Sequence, residues 1–344
     1  MKAYVLHLGD TRVPFSQFYG GGSSARDVFD VLRERNRQIL VPVYAFLVDH
    51  PQHGPIMIDT GLTWRQAHAH REYYSGPLLR LAFDEDEYRL TEEQQLEEQL
   101  AGIGFSVGDI GTVVLTHLHE DHLGGVRQLL GARFLVSRAD WASRNLGIFP
   151  FRRTPSLKNV LTDPELVDFT SGRFGPFEAS QDVFGDGSLV LLPTPGHSKG
   201  HTSVFLDSGD GWQLLCVGDT LYTIRHLDSD HVRPIMVGRR GRDHQLDSIA
   251  RIRTLAREMP ELIIAPGHDH TEYGSDLAAL LSGEVNPAAA VELRHRTDAL
   301  FGADGQLGGP SRPHYLPDPA GGVVGQVDWC DGRASWSRRG TPGR

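Results

Sequence analysis

Thr116-His117-Leu118-His119-Glu120-Asp121-His122-Leu123-Gly124-Gly125 places three histidines and one aspartate within six positions, directly after the apolar run Thr112 to Leu115. The run reads as a buried strand, and the end of a strand is a rigid base from which a loop can turn several side chains toward one point. His117 and His119 alternate with Leu118 and so project to one side. Gly124-Gly125 lets the backbone bend before the next element. Imidazole nitrogens and a carboxylate oxygen suit zinc, or iron, manganese or cobalt in its place. Four ligands this close in sequence do not converge easily on one ion, so the spacing suggests two pairs for two adjacent ions. A lone His-x-His carries little information, whereas His-x-His-x-Asp-His behind a strand is specific.

The remainder of the 344 residues has an ordinary globular composition, 39% hydrophobic and 23% charged. It is long enough for one large domain or two smaller ones. The net charge of −10 argues against a nucleic-acid partner, because phosphate binding depends on Lys and Arg neutralisation. The two cysteines, Cys216 and Cys330, lie far apart, with Cys216 inside an apolar run. No disulfide framework is expected, which fits a reducing compartment. Neither a signal sequence nor an apolar run of membrane-spanning length is visible, so a cytoplasmic protein without a membrane partner is expected. A homodimer stays open.

Strands are expected at Ala3–Leu8, at Val41–Val48 with Pro55–Ile58 as a hairpin, at Arg133–Val136, and at Leu189–Leu192, Thr202–Leu206, Leu214–Val217 and Leu262–Ala265. Helices are expected at Thr91–Gly104, where Thr91 and Gln94 have capping-box spacing and Leu96, Leu100 and Ile103 form a stripe, and at Val126–Leu130, Arg138–Asn145, Gln245–Arg257 and Asp276–Leu281. Phe15, Phe18 and Tyr19 before Gly20-Gly21-Gly22 suggest a covering loop, and Leu62–Tyr88 a helix and a flap. His68-Ala69-His70 lacks the preceding strand and reads as solvated. Phe149–Phe177 is loop-rich. Residues 1–283 read as the catalytic domain. Residues 284–344 read as an extension, helical at 288–300, then mostly disordered, with a short docking segment at 323–329.

Four further motifs stand at strand ends. Asp59-Thr60-Gly61 offers a carboxylate that can orient a ligand histidine through its free N–H. Thr194-Pro195-Gly196-His197-Ser198-Lys199-Gly200-His201-Thr202 puts His197 at the apex of a tight loop, with His201 reading as a supporting or core histidine. Gly218-Asp219-Thr220-Leu221-Tyr222 offers one carboxylate, the natural bridge between two ions. Pro266-Gly267-His268-Asp269 supplies the last ligand candidate.

The order Asp59, His117 loop, His197, Asp219, His268 resembles the metallo-β-lactamase superfamily over about residues 2–281. The resemblance implies an α/β fold, an αββα sandwich of two mixed sheets flanked by helices with the metals at one edge. It implies that His117, His119 and His197 hold one zinc, that Asp121, His122 and His268 hold the other, and that Asp219 and a hydroxide bridge them. Val41–Leu62, Thr194–Ser203 and Asp219–Tyr222 are most similar to the N-acyl-homoserine lactonases, the quorum-quenching branch. In that branch the tyrosine three residues after the bridging aspartate contacts the lactone, which implies the role for Tyr222. Glu120 departs from the branch, which usually carries a bulky apolar residue there.

These residues imply a metal-dependent hydrolase in which a bridging hydroxide attacks a lactone carbonyl. Tyr222 stabilises the oxyanion and Asp121 carries a proton to the leaving oxygen. Other hydrolases of the same fold, acting on thioesters like glyoxalase II or on phosphodiesters, stay open, as does a mononuclear iron persulfide dioxygenase. A second complete ligand set counts against the last. A fold retained only for binding would not need all seven ligands.

Overall fold

The computed structural model describes residues 1–19, 38–74, 87–144, 160–227, 238–259, 261–282, 285, 288–293, 325–330 and 333–338. Two sheets are stacked. The first has the order β4-β1-β2-β3-β5-β6-β7, made of β1 (Lys2–Pro14), β2 (Gln38–His50), β3 (Gly54–Ile58), β4 (Tyr88–Arg89), β5 (Thr112–Val114), β6 (Arg133–Ser137) and β7 (Glu165–Val167). Its β4-β1-β2-β3 half is antiparallel and its β3-β5-β6-β7 half is parallel. The second sheet has the order β12-β11-β10-β9-β8, made of β8 (Gln181–Asp182), β9 (Leu189–Pro193), β10 (Thr202–Asp207), β11 (Gln213–Gly218) and β12 (Leu262–Pro266). Only its β11–β12 pair is parallel.

Strand periodicity decides which side chains meet. Phe46, Val48, Ile56, Ile58 and Val114 join the core shared with Leu189–Leu192 and Leu214–Val217 of the second sheet. Their neighbours Ala45, Leu47, Met57, Val113 and Leu115 join Leu96 and Leu100 of the helix Leu96–Gly102. Successive residues of a strand point to opposite faces, so strands buried on both faces read as continuous apolar runs. The helix Gly238–Glu258 adds Ile249, Ile252, Leu255 and Ala256 to the core of the second sheet. This is the two-sheet, helix-flanked architecture expected from the sequence.

Several boundaries differ from expectation. β1 runs on to Pro14 because a bulge between His7 and Asp10 keeps it paired with β2. The helix Phe15–Tyr19 follows with its aromatics buried. The helix expected from Thr91 begins at Leu96. The Gln94 side chain does accept from the Thr91 N–H at 2.9 Å, but it closes a turn ahead of the helix. Expected helices also start earlier, at Gly238 and Glu272. Trp64–His68 and His70–Tyr73 are two short helices. His68 is exposed as expected, but His70 is buried against Tyr74. β7 stands in the stretch read as loop. Val126–Leu130 forms a 3-10 turn, Gly124–Arg127, rather than an α-helix.

In the tail, β13 (Gly325–Cys330) and β14 (Arg333–Arg338) pair antiparallel where little order was expected. Asp331-Gly332 between them is a strong hairpin signal that low apolar content obscured. Residues 288–293 are helical. The glycine run at 20–22, the flap at 75–86 and residues 303–324 lie outside the described residues. No helix among the described residues is long and apolar enough to cross a membrane.

Leu100 is fully buried between its helix and the first sheet. Leu100→Ala is expected to lower the unfolding free energy by about 2–5 kcal/mol, through lost apolar burial and the cavity left behind. Urea unfolding followed by tryptophan fluorescence measures it. A change below about 1 kcal/mol contradicts the packing described.

Candidate metal centre

Strand ends from both sheets meet at one edge. β3 delivers Asp59, β5 the His117 loop, the β9–β10 connection His197, β11 Asp219 and β12 His268. All seven ligand candidates come together there, in two groups: His117, His119, His197 and Asp219, then Asp121, His122 and His268. His117 and His122 are fully buried and Asp219 and His268 are 3% exposed, while His119 and Asp121 are partly open.

In the first group His197 Nε2 lies 2.8 Å from His119 Nδ1 and 3.2 Å from His117 Nε2. Asp219 Oδ2 lies 3.1 Å from His197 Nε2 and 3.7 Å from His117 Nε2. In the second group Asp219 Oδ1 lies 3.3 Å from His122 Nε2 and 3.2 Å from His268 Nε2. Asp121 lies 3.6 Å from His268 Nε2 and 3.9 Å from His122 Nε2. One carboxylate therefore divides its oxygens between the two groups.

Hydrogen bonds on the far side of the rings fix the tautomers. His268 Nδ1 donates to the Pro42 carbonyl at 2.8 Å, and His122 Nδ1 donates to Asp59 Oδ2 at 2.8 Å. Both partners only accept, so each ring keeps an Nε2 lone pair turned inward, the arrangement a metal ligand needs. Asp59 also accepts from the Thr116 N–H and hydroxyl, at 2.8 and 2.7 Å. Thr116 Oγ1 stands 3.1 Å from His117 Nδ1, which extends the same relay to a second ligand. Asp59 holds φ +59°, a left-handed conformation that aspartate tolerates better than most residues. The orienting position expected for Asp59 is thus the one it occupies.

His122 Nε2 and Asp219 Oδ1 are buried with no hydrogen-bond partner among the described residues. Such atoms are costly unless something satisfies them, and a divalent cation between them does so. Burial opposes ionisation of Asp219, but His268, His122, His197 and His117 hold its carboxyl well below the usual carboxylate range. Burial pulls His122 down, yet Asp219, Asp59 and Asp121 outweigh it and raise the ring well above the usual imidazole range, so the site favours a positive charge here, which a bound cation would supply in place of the Nε2 proton. Burial, reinforced by His122 and His119, keeps His117 well below that range and neutral. The donor set, its tautomers and its charge all fit divalent metal.

Tyr222 is buried with its hydroxyl 3.2 Å from His197 Nδ1. Burial, then Asp219 and Asp121, push its phenol well above the ordinary value, so it keeps its proton. Phe18 stacks on its ring at 4.4 Å between centroids. His201 is a supporting residue: its Nε2 accepts from the Asp219 N–H at 3.0 Å, and its Nδ1 stands 2.9 Å from Thr194 Oγ1. A side chain at Gly218 would stand 2.8 Å from His201 Nε2 and 2.9 Å from Thr116 Oγ1, so the bend into Asp219 admits only glycine. Gly124 is needed for close approach, since a Cβ there would sit 2.2 Å from the Leu62 carbonyl carbon.

Other contributors were not found in the sequence. Asp140 accepts from Ser198 Oγ and the Gly200 N–H, both at 2.7 Å, and so clamps the His197 loop. Gln245 donates to the Asp219 and Thr220 carbonyls at 3.2 Å. A third group, His50, His53 and Asp186, also clusters. There His50 Nδ1 accepts from the Gln52 and His53 N–H groups at 3.1 and 3.2 Å. That places the ring proton on Nε2, leaving no free lone pair for a cation.

Comparison with known proteins identifies the family and the fold. The family model described as the metallo-beta-lactamase superfamily matches residues 39–268. The chain is 28% identical over 239 residues to the N-acyl homoserine lactonase AttM of Rhizobium radiobacter, covering 67% of this chain and 82% of the relative. It is 29% identical over 245 residues to a probable metallo-hydrolase of Mycobacterium tuberculosis, covering 64% and 72%. A solved structure of an N-acyl homoserine lactone hydrolase, with its product N-hexanoyl-L-homoserine at the catalytic metal centre, superposes with TM-score 0.56. It is 22% identical and the match covers 78% of this chain and 93% of the other. At that identity the superposition speaks for the fold.

Asp59→Ala is expected to weaken metal affinity about 10–100-fold, the usual effect of removing the partner that orients a ligand histidine. Competition with a chromophoric chelator measures it, and an unchanged affinity contradicts the role given to Asp59.

Proposed function

The chain belongs to the metallo-beta-lactamase superfamily, and on that premise we propose that it is a dinuclear metallohydrolase that opens the lactone ring of N-acyl-homoserine lactones. The observation that carries the dinuclear reading is Asp219, whose two oxygens face two separate ligand groups. Zinc is the ion that histidine and carboxylate donors of this kind fit best. The lactone substrate is suggested by the lactonases among the relatives. The tyrosine three residues beyond the bridging aspartate supports it too.

Bound metal supplies a water acidic enough to act as nucleophile near neutral pH and polarises the substrate carbonyl. The protein's own groups do the rest. Tyr222, protonated and close to His197, donates to the oxyanion as the carbonyl becomes tetrahedral. Asp121 reaches the open side of the centre with its side chain 17% exposed. It takes the proton from the attacking water and delivers it to the ring oxygen as the carbon–oxygen bond breaks. The product is the open N-acyl-homoserine, which removes the lactone as a quorum signal.

Acid release from N-acyl-homoserine lactones of several chain lengths, by zinc-loaded protein in a pH-stat, tests this. Ring opening is expected, abolished in Asp219→Ala. Tyr222→Phe is expected to lower kcat by about 10²-fold, the cost of removing one oxyanion donor. No acid release at any chain length contradicts the lactonase reading. Undiminished kcat in Tyr222→Phe contradicts the role of that residue.

A further inference from the structure

Glu120 stands between His119, of the first ligand group, and Asp121, of the second. It is 1% exposed. Burying a carboxylate is costly unless it is paired or hydrogen-bonded, and an apolar side chain would fill this position without that cost. The structure shows what holds it. The Tyr73 hydroxyl donates to Glu120 Oε1 at 2.7 Å, in the range of a charge-assisted hydrogen bond. The Gln66 side-chain amide donates to the Glu120 carbonyl at 3.1 Å. The Gln66 amide has a settled orientation, because its Oε1 accepts from the Thr63 N–H at 2.6 Å.

Both donors belong to one segment, the short helices Trp64–His68 and His70–Tyr73. The same part of the chain grips the metal loop further along. The Thr60 N–H donates to the His122 carbonyl at 3.0 Å, and the Gly124 N–H donates to the Gly61 carbonyl at 2.7 Å. Residues 60–73 thus hold the 3-10 turn Glu120–His122 at its start, its end and just beyond.

The place of Asp121 depends on its backbone. The outer nitrogens of His117, His122, His197 and His268 are engaged. The Asp121 carboxylate has no hydrogen bond among the described residues, only its approaches to His268 and His122. Its place is set by the backbone on either side, and Glu120 is the residue before it.

We propose that Tyr73 and Glu120 form a positioning pair that fixes Asp121 relative to His119, and so sets the second ligand group against the first. This rests on the two-metal reading above. In this proposal neither residue contacts substrate or the reacting atoms. They act through the backbone of the loop.

The test titrates metal-free full-length protein with Co2+, following the visible absorption of each equivalent, with thermal unfolding of the metal-free protein alongside. Wild type is expected to take up two equivalents. Tyr73→Phe is expected to leave affinity for the first unchanged and weaken the second about 10-fold or more. Glu120→Leu should do the same. Glu120→Gln keeps an oxygen that accepts from Tyr73, and is expected to restore the second equivalent to within about threefold of wild type. A purely structural role would lower thermal stability and weaken both equivalents together, and that result overturns the pair. Unchanged affinities in Tyr73→Phe also overturn it. A wild type that binds a single equivalent overturns the two-metal reading and the pair with it, whereas two equivalents lost in parallel overturn the pair alone.

Discussion

A carboxylate buried at the end of β11 faces histidines with both of its oxygens, and the site is built around that contact. Asp219 is 3% exposed. Its ionisation is opposed by burial and sustained by four imidazoles. Facing imidazole nitrogens 2.8–3.2 Å apart do not attract one another unless a proton or a cation lies between them. A buried ionised carboxylate likewise calls for positive charge nearby. A divalent cation would answer both demands, and the split of the two oxygens is the observation on which the proposal of two ions rests.

The sandwich exists, functionally, to hold these groups still. Strands buried on both faces bring their ends to a common edge, where the end of β5 delivers four ligand candidates and the ends of β3, β11 and β12 deliver one ligand or orienting group each. The second layer of contacts crosses between the sheets. Pro42 of the first sheet orients His268 of the second. Asp140, just beyond β6, clamps the loop that carries His197. Within the first sheet, Asp59 at the end of β3 orients His122 and reaches His117 through Thr116. Shifting one sheet against the other would break the Pro42–His268 and Asp140 bonds, so packing of the core and precision of the site are one property.

What could be read from the sequence was local. His117, His119, Asp121, His122, His197, Asp219 and His268 each follow an apolar run within a few residues, and strand-end position is a short-range signal. The two sheets were legible because their apolar runs are 4–8 residues long and bounded by glycine, proline or aspartate. The roles of Asp140, Thr116, Gln66 and Tyr73 were not legible. Their partners lie across sequence separations as large as 60, 57, 54 and 47 residues. Asp140 gives its N–H to the helix-capping Ser137 Oγ, but its carboxylate works elsewhere. His70 read as solvated because burial of a short helix against Tyr74 leaves no periodic trace.

The central claim is that Asp219 joins two metal ions. Anomalous diffraction at the zinc edge from crystals of the zinc-loaded protein addresses it directly. Two peaks are expected, one on the Oδ2 side among His117, His119 and His197, the other on the Oδ1 side among Asp121, His122 and His268. A single peak, on either side of Asp219, would contradict it.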